Sequence, residues 1–292
     1  MTEAARATLD ELFPQRAARM HSQVLAIRDL EVRFGGVSAL AGIGLDLADD
    51  ELVAVIGPNG AGKSTLLNAI CGVVRGNARG SIELLGQQIL GRPAYVVADL
   101  GVGRSFQDPP LIDTETVLEN VMVGAHLRLR YSMFDQVFLR RKVRRYEDEA
   151  RRRALTALDL AGLTRHVDDL VAGLPYGTRK LIDIARSLMS GPALLLLDEP
   201  TSGLDSDEQA RVKQMLLEIK SSQRVTVLVV EHHMELVRAV ADKVVGLQAG
   251  TVLAVGSPHE VLDSADFRAA LVGAGQPADA KAVPPENTTA ST

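Results

Sequence analysis

The stretch that decides the fold reads Gly57-Pro58-Asn59-Gly60-Ala61-Gly62-Lys63-Ser64-Thr65. It follows an apolar run, residues 52–56, which predicts a buried strand that leads into a glycine-rich turn and then a helix. In such a turn successive backbone N–H groups point inward, and the glycines let the backbone approach a phosphate closely. The stretch therefore predicts a nucleotide site, with a chance glycine turn as the alternative.

Two side chains of this loop have expected chemical roles. Lys63 is expected to reach the β- and γ-phosphates of the nucleotide, where a positive charge is needed. The hydroxyl of Ser64 is the expected ligand for Mg²⁺, which bridges phosphate oxygens and neutralises charge during phosphoryl transfer.

A second apolar run, residues 193–197, ends in two carboxylates, Asp198 and Glu199. The run is typical of a parallel strand that is buried on both faces and ends at a ligand crevice. Acidic residues at a strand end are most often caps or turn residues when taken alone. After a phosphate loop we expect Asp198 to hold Mg²⁺ through water and Glu199 to act as general base on the attacking water.

Further motifs follow in a fixed order: Gln107 before two prolines, Leu174-Pro175-Tyr176-Gly177-Thr178, residues 201–205 after Glu199, and a third buried strand at 225–230 before Glu231-His232. This order and spacing resembles the nucleotide-binding subunits of ATP-binding cassette transporters, from about residue 24 to about residue 273. The resemblance implies an α/β phosphate-loop NTPase fold with a RecA-like parallel-sheet core, an antiparallel β subdomain and a helical signature subdomain at about 114–189.

The resemblance also assigns roles outside the phosphate loop: adenine stacking to Phe34, catalysis and a metal contact to Gln107, signature contacts to Tyr176 and Gly177, the D-loop to Asp205, and the switch histidine to His232. Taken singly, a glutamine before prolines is most often a loop residue, and a histidine after a strand is most often solvated or a satisfied core group. The order in which these residues occur is what makes them specific.

Within that superfamily the chain most resembles the ATP-binding subunits of bacterial branched-chain amino acid importers and their urea and amide relatives. The resemblance rests on residues 33–36, on Tyr176-Gly177 where most cassettes have Gly-Gly, and on residues 231–237. The chain departs from the cassette pattern in having Pro175 for the signature serine, Thr178 for the glutamine and His233 for an aspartate. We expect the N–H of Gly177 and the following helix N-terminus to supply the anion site instead.

Composition agrees with an ordinary soluble globular protein: 292 residues with a net charge of −5. No apolar run approaches the ~20 residues needed to cross a bilayer, and the N-terminus lacks the layout of a secretory signal. We therefore expect a cytosolic protein. The resemblance to transporter subunits implies that it lies at the cytoplasmic face of the membrane and that other polypeptides form the pore. The single cysteine, Cys71, excludes internal disulfides and reads as a buried helix position.

The chain divides into three predicted parts: residues 1–23, a polar extension that we expect to be flexible and that contains an alternative start at Met20; residues 24–273, the ATPase domain; and residues 274–292, a polar, proline-containing tail that we expect to be disordered. A strong basic bias spans 128–153. This basic bias is typical of a solvated helix face. The second interpretation is contact with anionic lipid headgroups. Nucleic-acid binding is disfavoured because the chain is acidic and lacks interleaved aromatic residues.

The resemblance implies that the signature faces the nucleotide of a partner, so that ATP lies between two cassettes, in a homodimer or a heterodimer. The implied partners are a second ATPase subunit, two transmembrane permease subunits and, indirectly, an extracytoplasmic solute-binding protein. The alternatives are a lipopolysaccharide-export ATPase and a soluble cassette ATPase of DNA repair or translation, although such soluble proteins usually have a duplicated cassette or a coiled-coil insertion. A kinase or GTPase is a weaker alternative because no guanine-reading Asn-Lys-x-Asp motif occurs.

Overall fold

The structure is a computed structural model that describes Leu12 and residues 23–125, 140–222, 225–265 and 267–269. The predicted C-terminal tail, most of the predicted N-terminal extension and the first part of the basic segment lie outside the described residues. Among the described residues, no helix combines the length and the apolar content needed to cross a membrane.

The described strands form two sheets. An antiparallel sheet has the order β2-β1-β4-β5, and a larger sheet has the order β10-β9-β3-β8-β7-β6. The strands are β1 Gln23–Phe34, β2 Val37–Ala48, β3 Leu52–Ile56, β4 Ala78–Leu84, β5 Gln87–Gln88, β6 Val102–Arg104, β7 Leu194–Asp198, β8 Thr226–Val230, β9 Lys243–Gln248 and β10 Thr251–Gly256.

The larger sheet is parallel except at β10, which pairs antiparallel with β9. Every residue of β3, β7 and β8 is buried, which explains why these strands read as continuous apolar runs in the sequence. Because the three strands are parallel neighbours, their carboxyl ends lie at one edge of the sheet. That edge receives the phosphate loop, the pair Asp198-Glu199 and the pair Glu231-His232.

The antiparallel sheet packs on the larger sheet and does not extend its edge. The alternating pattern of residues 24–85 predicted strands packed beside the parallel core, and the resemblance implied an antiparallel β subdomain; both are confirmed, because β1, β2, β4 and β5 form a separate sheet that pairs within itself. One face of β1 and β2 is apolar, and it buries Leu25, Ile27 and Leu45 in a cluster with Val53 and Val55 of β3. Face-to-face packing covers that apolar face, which an edge position would leave open to water.

The described helices of eight or more residues are α1, α4, α5 and α6, and shorter helices complete the layers. Their bounds are α1 Lys63–Ile70, α2 Ala94–Asp99, α3 Val117–Val123, α4 Arg140–Leu160, α5 Tyr176–Leu188, α6 Ser206–Ser221, α7 Met234–Val240 and α8 Pro258–Leu262. Cys71 is buried and directly follows α1. Helices α3, α4 and α5 lie in the zone, about 114–189, where the sequence predicted helices.

The basic helix α4 is not solvated along its whole length. Arg144, Arg145 and Arg151 are exposed, in agreement with a solvated face, but Arg153 is only 5% exposed. Its Nη2 donates to the carbonyl oxygens of Leu12 at 2.9 Å and Met189 at 3.0 Å. The interpretation of the basic segment as a solvated face is therefore wrong at Arg153, because that side of α4 packs into the core.

Candidate nucleotide site

The phosphate loop joins β3 to α1 and is shaped by glycines. Gly60 and Gly62 have φ angles of 80° and 103°, which favour glycine. A Cβ atom at Gly57 would lie 2.2 Å from the carbonyl oxygen of Leu247, and one at Gly62 would lie 2.7 Å from that of Ala39. The backbones of β9 and β2 thus enclose the loop from two sides, and side chains are excluded at both glycines.

Lys63 is the first residue of α1 and is buried. Its Nζ donates to the carbonyl oxygens of Gly57 at 2.8 Å and Pro58 at 3.0 Å, so the ammonium group lies across its own loop. Burial lowers the pKa of Lys63, and the carboxylates of Glu199 and Asp198 oppose that change. The loop therefore places a positive charge beside a glycine-rich backbone at a helix start, which is what a phosphate requires.

A cleft of ≈ 730 Å³ opens beside the loop. It brings together Gln107, Glu199 and His232, the three catalytic residues predicted from the sequence. The lining residues are Val37, Ser38, Ala39, Asn59, Gly60, Gly62, Lys63, Ser64, Thr65, Gln107, Glu199 and His232. The start of β2 contributes three of these residues, which no sequence motif indicated.

Glu199 lies at the centre of these contacts. Its Oε2 accepts from Nε2 of Gln107 at 3.4 Å, and its Oε1 lies 2.9 Å from Nε2 of His232. The φ angle of Glu199 is +48°, in the left-handed region that non-glycine residues rarely adopt. Such strain persists only where surrounding contacts hold it, and it concentrates at functional sites.

Asp198 precedes Glu199 and is paired with a residue that the sequence did not indicate. Nη2 of Arg104 lies 3.3 Å from Oδ2 of Asp198, and Nη1 donates to Oδ1 of Asn68 on α1 at 2.7 Å. Burial raises the pKa of Asp198, and Arg104 opposes that rise. Arg104 thereby fixes the carboxylate relative to the helix that follows the phosphate loop.

The residues predicted to hold Mg²⁺ suit that ion in chemistry. Ser64 offers a hydroxyl, Gln107 an amide oxygen and Asp198 a carboxylate, all hard oxygen donors of the kind that Mg²⁺ prefers. Among the described residues, no group of three or more His, Cys, Asp or Glu side chains is placed to hold a metal ion.

The signature residues lie outside this cleft, on the start of α5. The hydroxyl of Tyr176 donates to the carbonyl oxygen of Gln107 at 2.8 Å. A Cβ atom at Gly177 would lie 2.1 Å from the carboxylate of Glu208, whose helix is capped by Asp205. The signature thus contacts the glutamine loop and the D-loop helix of its own subunit.

Phe34 also lies outside the cleft lining. It ends β1, at the same hairpin whose second strand begins at Val37 in the cleft. Its side chain is 47% exposed, so the ring is available for contact.

Glu231 belongs to the site, although the sequence motifs assigned it no role. It is 2% exposed. Its Oε1 accepts from N and Oγ1 of Thr201 at 3.0 and 2.6 Å, and its Oε2 accepts from N of His232 and of His233 at 2.9 and 3.2 Å. One buried carboxylate therefore joins the segment after β7 to the segment after β8. The pattern Glu-His after an apolar strand was its only signal.

We expect Glu231→Gln to lower both stability and turnover. The amide keeps the shape, but its NH₂ group must face one of the two donor pairs, which leaves buried donors without acceptors at a cost of about 2–3 kcal/mol. Thermal unfolding should shift downward by roughly 5 °C or more. The kcat for ATP should fall about tenfold while ATP affinity is retained, because His232 loses its anchor. Glu235→Gln, an exposed neighbour, is the control, and an unchanged melting temperature in Glu231→Gln would contradict the role.

The fold and the cleft define a class, the phosphate-loop nucleoside triphosphatases. The family profile described as ABC transporter matches residues 40–202. Over 254 residues, 87% of this chain and 99% of the relative, the chain is 35% identical to the high-affinity branched-chain amino acid transport ATP-binding protein LivG of Salmonella typhimurium. The chain belongs to the ATP-binding cassette transporter family, and it is an ATP-binding and ATP-hydrolysing subunit of that family.

Solved structures agree with this assignment. The ADP conformation of MJ1267, an ATP-binding cassette of an ABC transporter, superposes with a TM-score of 0.73 at 26% identity, over 87% of this chain and 100% of that one. The dimeric post-hydrolysis state of the cassette MJ0796, bound to ADP and Pi, gives 0.69 at 26% identity over 80% and 98%. The predicted cassette fold with its parallel core is confirmed.

Proposed function

We propose that this chain powers import of branched-chain amino acids or related amides, as a peripheral subunit at the cytoplasmic face of the membrane. In this proposal it works with a second cassette, two transmembrane permease subunits and, indirectly, an extracytoplasmic solute-binding protein. The observation that carries the catalytic part is the contact of Glu199 with both Gln107 and His232 beside the phosphate loop. The identity to LivG over nearly its whole length supports import over lipopolysaccharide export or a soluble role.

The chemistry follows from the residues of the cleft. The loop N–H groups and Lys63 bind the β- and γ-phosphates, and Glu199 accepts the proton of the attacking water. His232 orients the carboxylate of Glu199 through their hydrogen bond. Ser64, Gln107 and Asp198 would hold Mg²⁺, which would supply positive charge to offset that of the phosphate oxygens.

Two cassettes are needed to complete each site. Gly177 and the start of α5 do not line the subunit's own cleft, so we assign their contact to the γ-phosphate of a partner's nucleotide. Asp205 caps α6, and Glu208 of that helix lies against Gly177, so Asp205 is on the same side of the subunit as the signature. Phe34 is assigned to stacking on adenine at the rim. The dimeric state of the similar cassette MJ0796 supports this arrangement. Hydrolysis then removes the contacts that favour closure and lets the subunits separate.

We expect Lys63→Ala to weaken ATP binding itself, by at least about tenfold, because it removes charge-assisted hydrogen bonds to the phosphates. Isothermal titration calorimetry on the purified chain measures this directly. Lys220→Ala, which removes a lysine that does not line the cleft, is the matched control. Equal ATP affinity for Lys63→Ala and wild type would contradict the assignment of the phosphate loop.

Transport is tested in vesicles that contain this chain, its permease subunits and the second cassette, with the solute-binding protein outside. The expected result is ATP-dependent uptake of labelled leucine, isoleucine or valine that is lost with Glu199→Gln. Uptake of urea or short amides alone would reassign the solute within the same proposal. ATP hydrolysis without uptake of any of these solutes would contradict the import function.

A further inference from the structure

Lys180 lies one turn after Tyr176 on α5 and is only 2% exposed. Its Nζ donates to the carbonyl oxygen of Glu199 at 2.6 Å and to that of Ser202 at 2.8 Å. The same ammonium group lies 5.4 Å from the centroid of the Tyr176 ring. An ammonium group has three N–H donors; two of them bond to carbonyl oxygens, and the ring of Tyr176 adds a cation–π contact.

A buried lysine is an expensive way to stabilise a fold. Burial lowers the pKa of Lys180, and the carboxylates of Glu231 and Glu199 oppose that change. Apolar side chains of similar volume often replace buried charges without loss of stability. The hydrogen bonds of Lys180 therefore indicate that it positions another group. Both acceptors lie in the segment that begins at Glu199.

The acceptor at Glu199 is the informative one. Glu199 has a φ angle of +48°, and its carbonyl oxygen also accepts from the N–H of Ser202 at 3.2 Å. A left-handed residue that is not glycine reverts to an ordinary conformation unless its peptide groups are held. Lys180 provides the shorter of these two bonds to the carbonyl oxygen, and it does so from a different helix.

We propose that Lys180 is a positioning residue for Glu199: it holds the left-handed backbone, and so keeps the carboxylate between Gln107 and His232. The inference rests on the proposed role of Glu199 as general base and deepens it.

The same helix turn also reaches the glutamine loop. Tyr176 donates to the carbonyl oxygen of Gln107, so neighbouring side chains on α5 hold the backbones of both residues whose side chains meet in the cleft. One turn of α5 therefore holds both backbones through Tyr176 and Lys180.

The test is Lys180→Met, which keeps an unbranched side chain and removes all three donors. In the full chain assembled with its permease subunits, kcat for ATP is expected to fall at least about tenfold, since small misplacement of a catalytic group is costly. ATP affinity should stay within about twofold of wild type, because Lys180 does not line the cleft. Lys180→Arg should recover most of kcat, since a guanidinium can donate to both carbonyl oxygens.

Lys220→Met is the matched control. Lys220 also donates to a backbone carbonyl oxygen, that of Val240 at 2.8 Å, away from the cleft, and its replacement should leave kcat unchanged. A double variant separates position from stability. If Lys180 acts through Glu199, Lys180→Met should cause no further loss of turnover in a Glu199→Gln background.

Two results would overturn the positioning role while leaving the proposed function intact. One is a Lys180→Met variant whose kcat lies within about twofold of the kcat of an active wild type. The other is an equal further loss of turnover in the Glu199→Gln background, which would indicate general destabilisation. A wild-type assembly that does not hydrolyse ATP would instead contradict the proposed function, and the positioning role would fall with it.

Discussion

Glu199→Gln should bind ATP as tightly as wild type while kcat falls at least about a hundredfold, the usual contribution of a general base. The amide keeps the length of the side chain and can still contact Gln107 and His232, so the cleft retains its shape. It cannot accept the proton of the attacking water. The loss should therefore appear in turnover and not in affinity.

The measurement is ATP turnover of the assembled transporter, with ATP affinity from calorimetry on the same variant. Glu83→Gln, a glutamate exposed on β4, controls for loss of a carboxylate elsewhere. Turnover by Glu199→Gln within about threefold of wild type would exclude Glu199 as the base.

Gly177→Asp should abolish ATP-driven pairing of subunits, and hydrolysis that depends on pairing should fall at least about tenfold. A carboxylate at this position would face the partner's phosphates, and like charges at an interface cost several kcal/mol. ATP binding by the single subunit should remain nearly intact, because Gly177 does not line its own cleft. Size-exclusion chromatography with ATP, in a Glu199→Gln background that prevents hydrolysis, reports the pairing.

The structure adds a control to that experiment. A side chain at Gly177 would meet the carboxylate of Glu208 within the same subunit, so repulsion there is a competing explanation. Glu208→Ala alone should still pair, and the double variant Gly177→Asp with Glu208→Ala should stay unpaired. Restored pairing in the double variant would place the defect inside the subunit and contradict the contact with the partner.

The parts of the fold that the sequence predicted best are the buried parallel strands. Residues 52–56 form β3 as expected. The apolar runs at 193–197 and 225–230 form β7 and β8, which end at Asp198 and Val230. Strands covered on both faces are apolar along their whole length, and carboxylates or a glycine turn mark where they leave the core. The arrangement of residues 24–85 was harder to predict, because alternation shows that one face is buried but not which surface covers it.

The candidate site divides in the same way. The phosphate loop, Gln107, Glu199 and His232 belong to motifs with fixed local spacing, and the structure brings them to one cleft. The role of Lys180 could not be predicted from the sequence, because it depends on hydrogen bonds to carbonyl oxygens about 20 residues away in sequence. Contacts of this kind depend on backbone direction after folding, which local patterns do not carry.

The enclosure of the phosphate loop by the backbones of β2 and β9 has a thermodynamic consequence. Gly57 lies against the carbonyl oxygen of Leu247 in the same sheet, and Gly62 lies against that of Ala39 in the antiparallel sheet, so both contacts form as the protein folds. The loop therefore loses its conformational entropy during folding, and this loss does not reduce the free energy of nucleotide binding. Substitutions on the antiparallel sheet that loosen this enclosure should weaken nucleotide affinity from a distance, without removing any atom that touches the ligand.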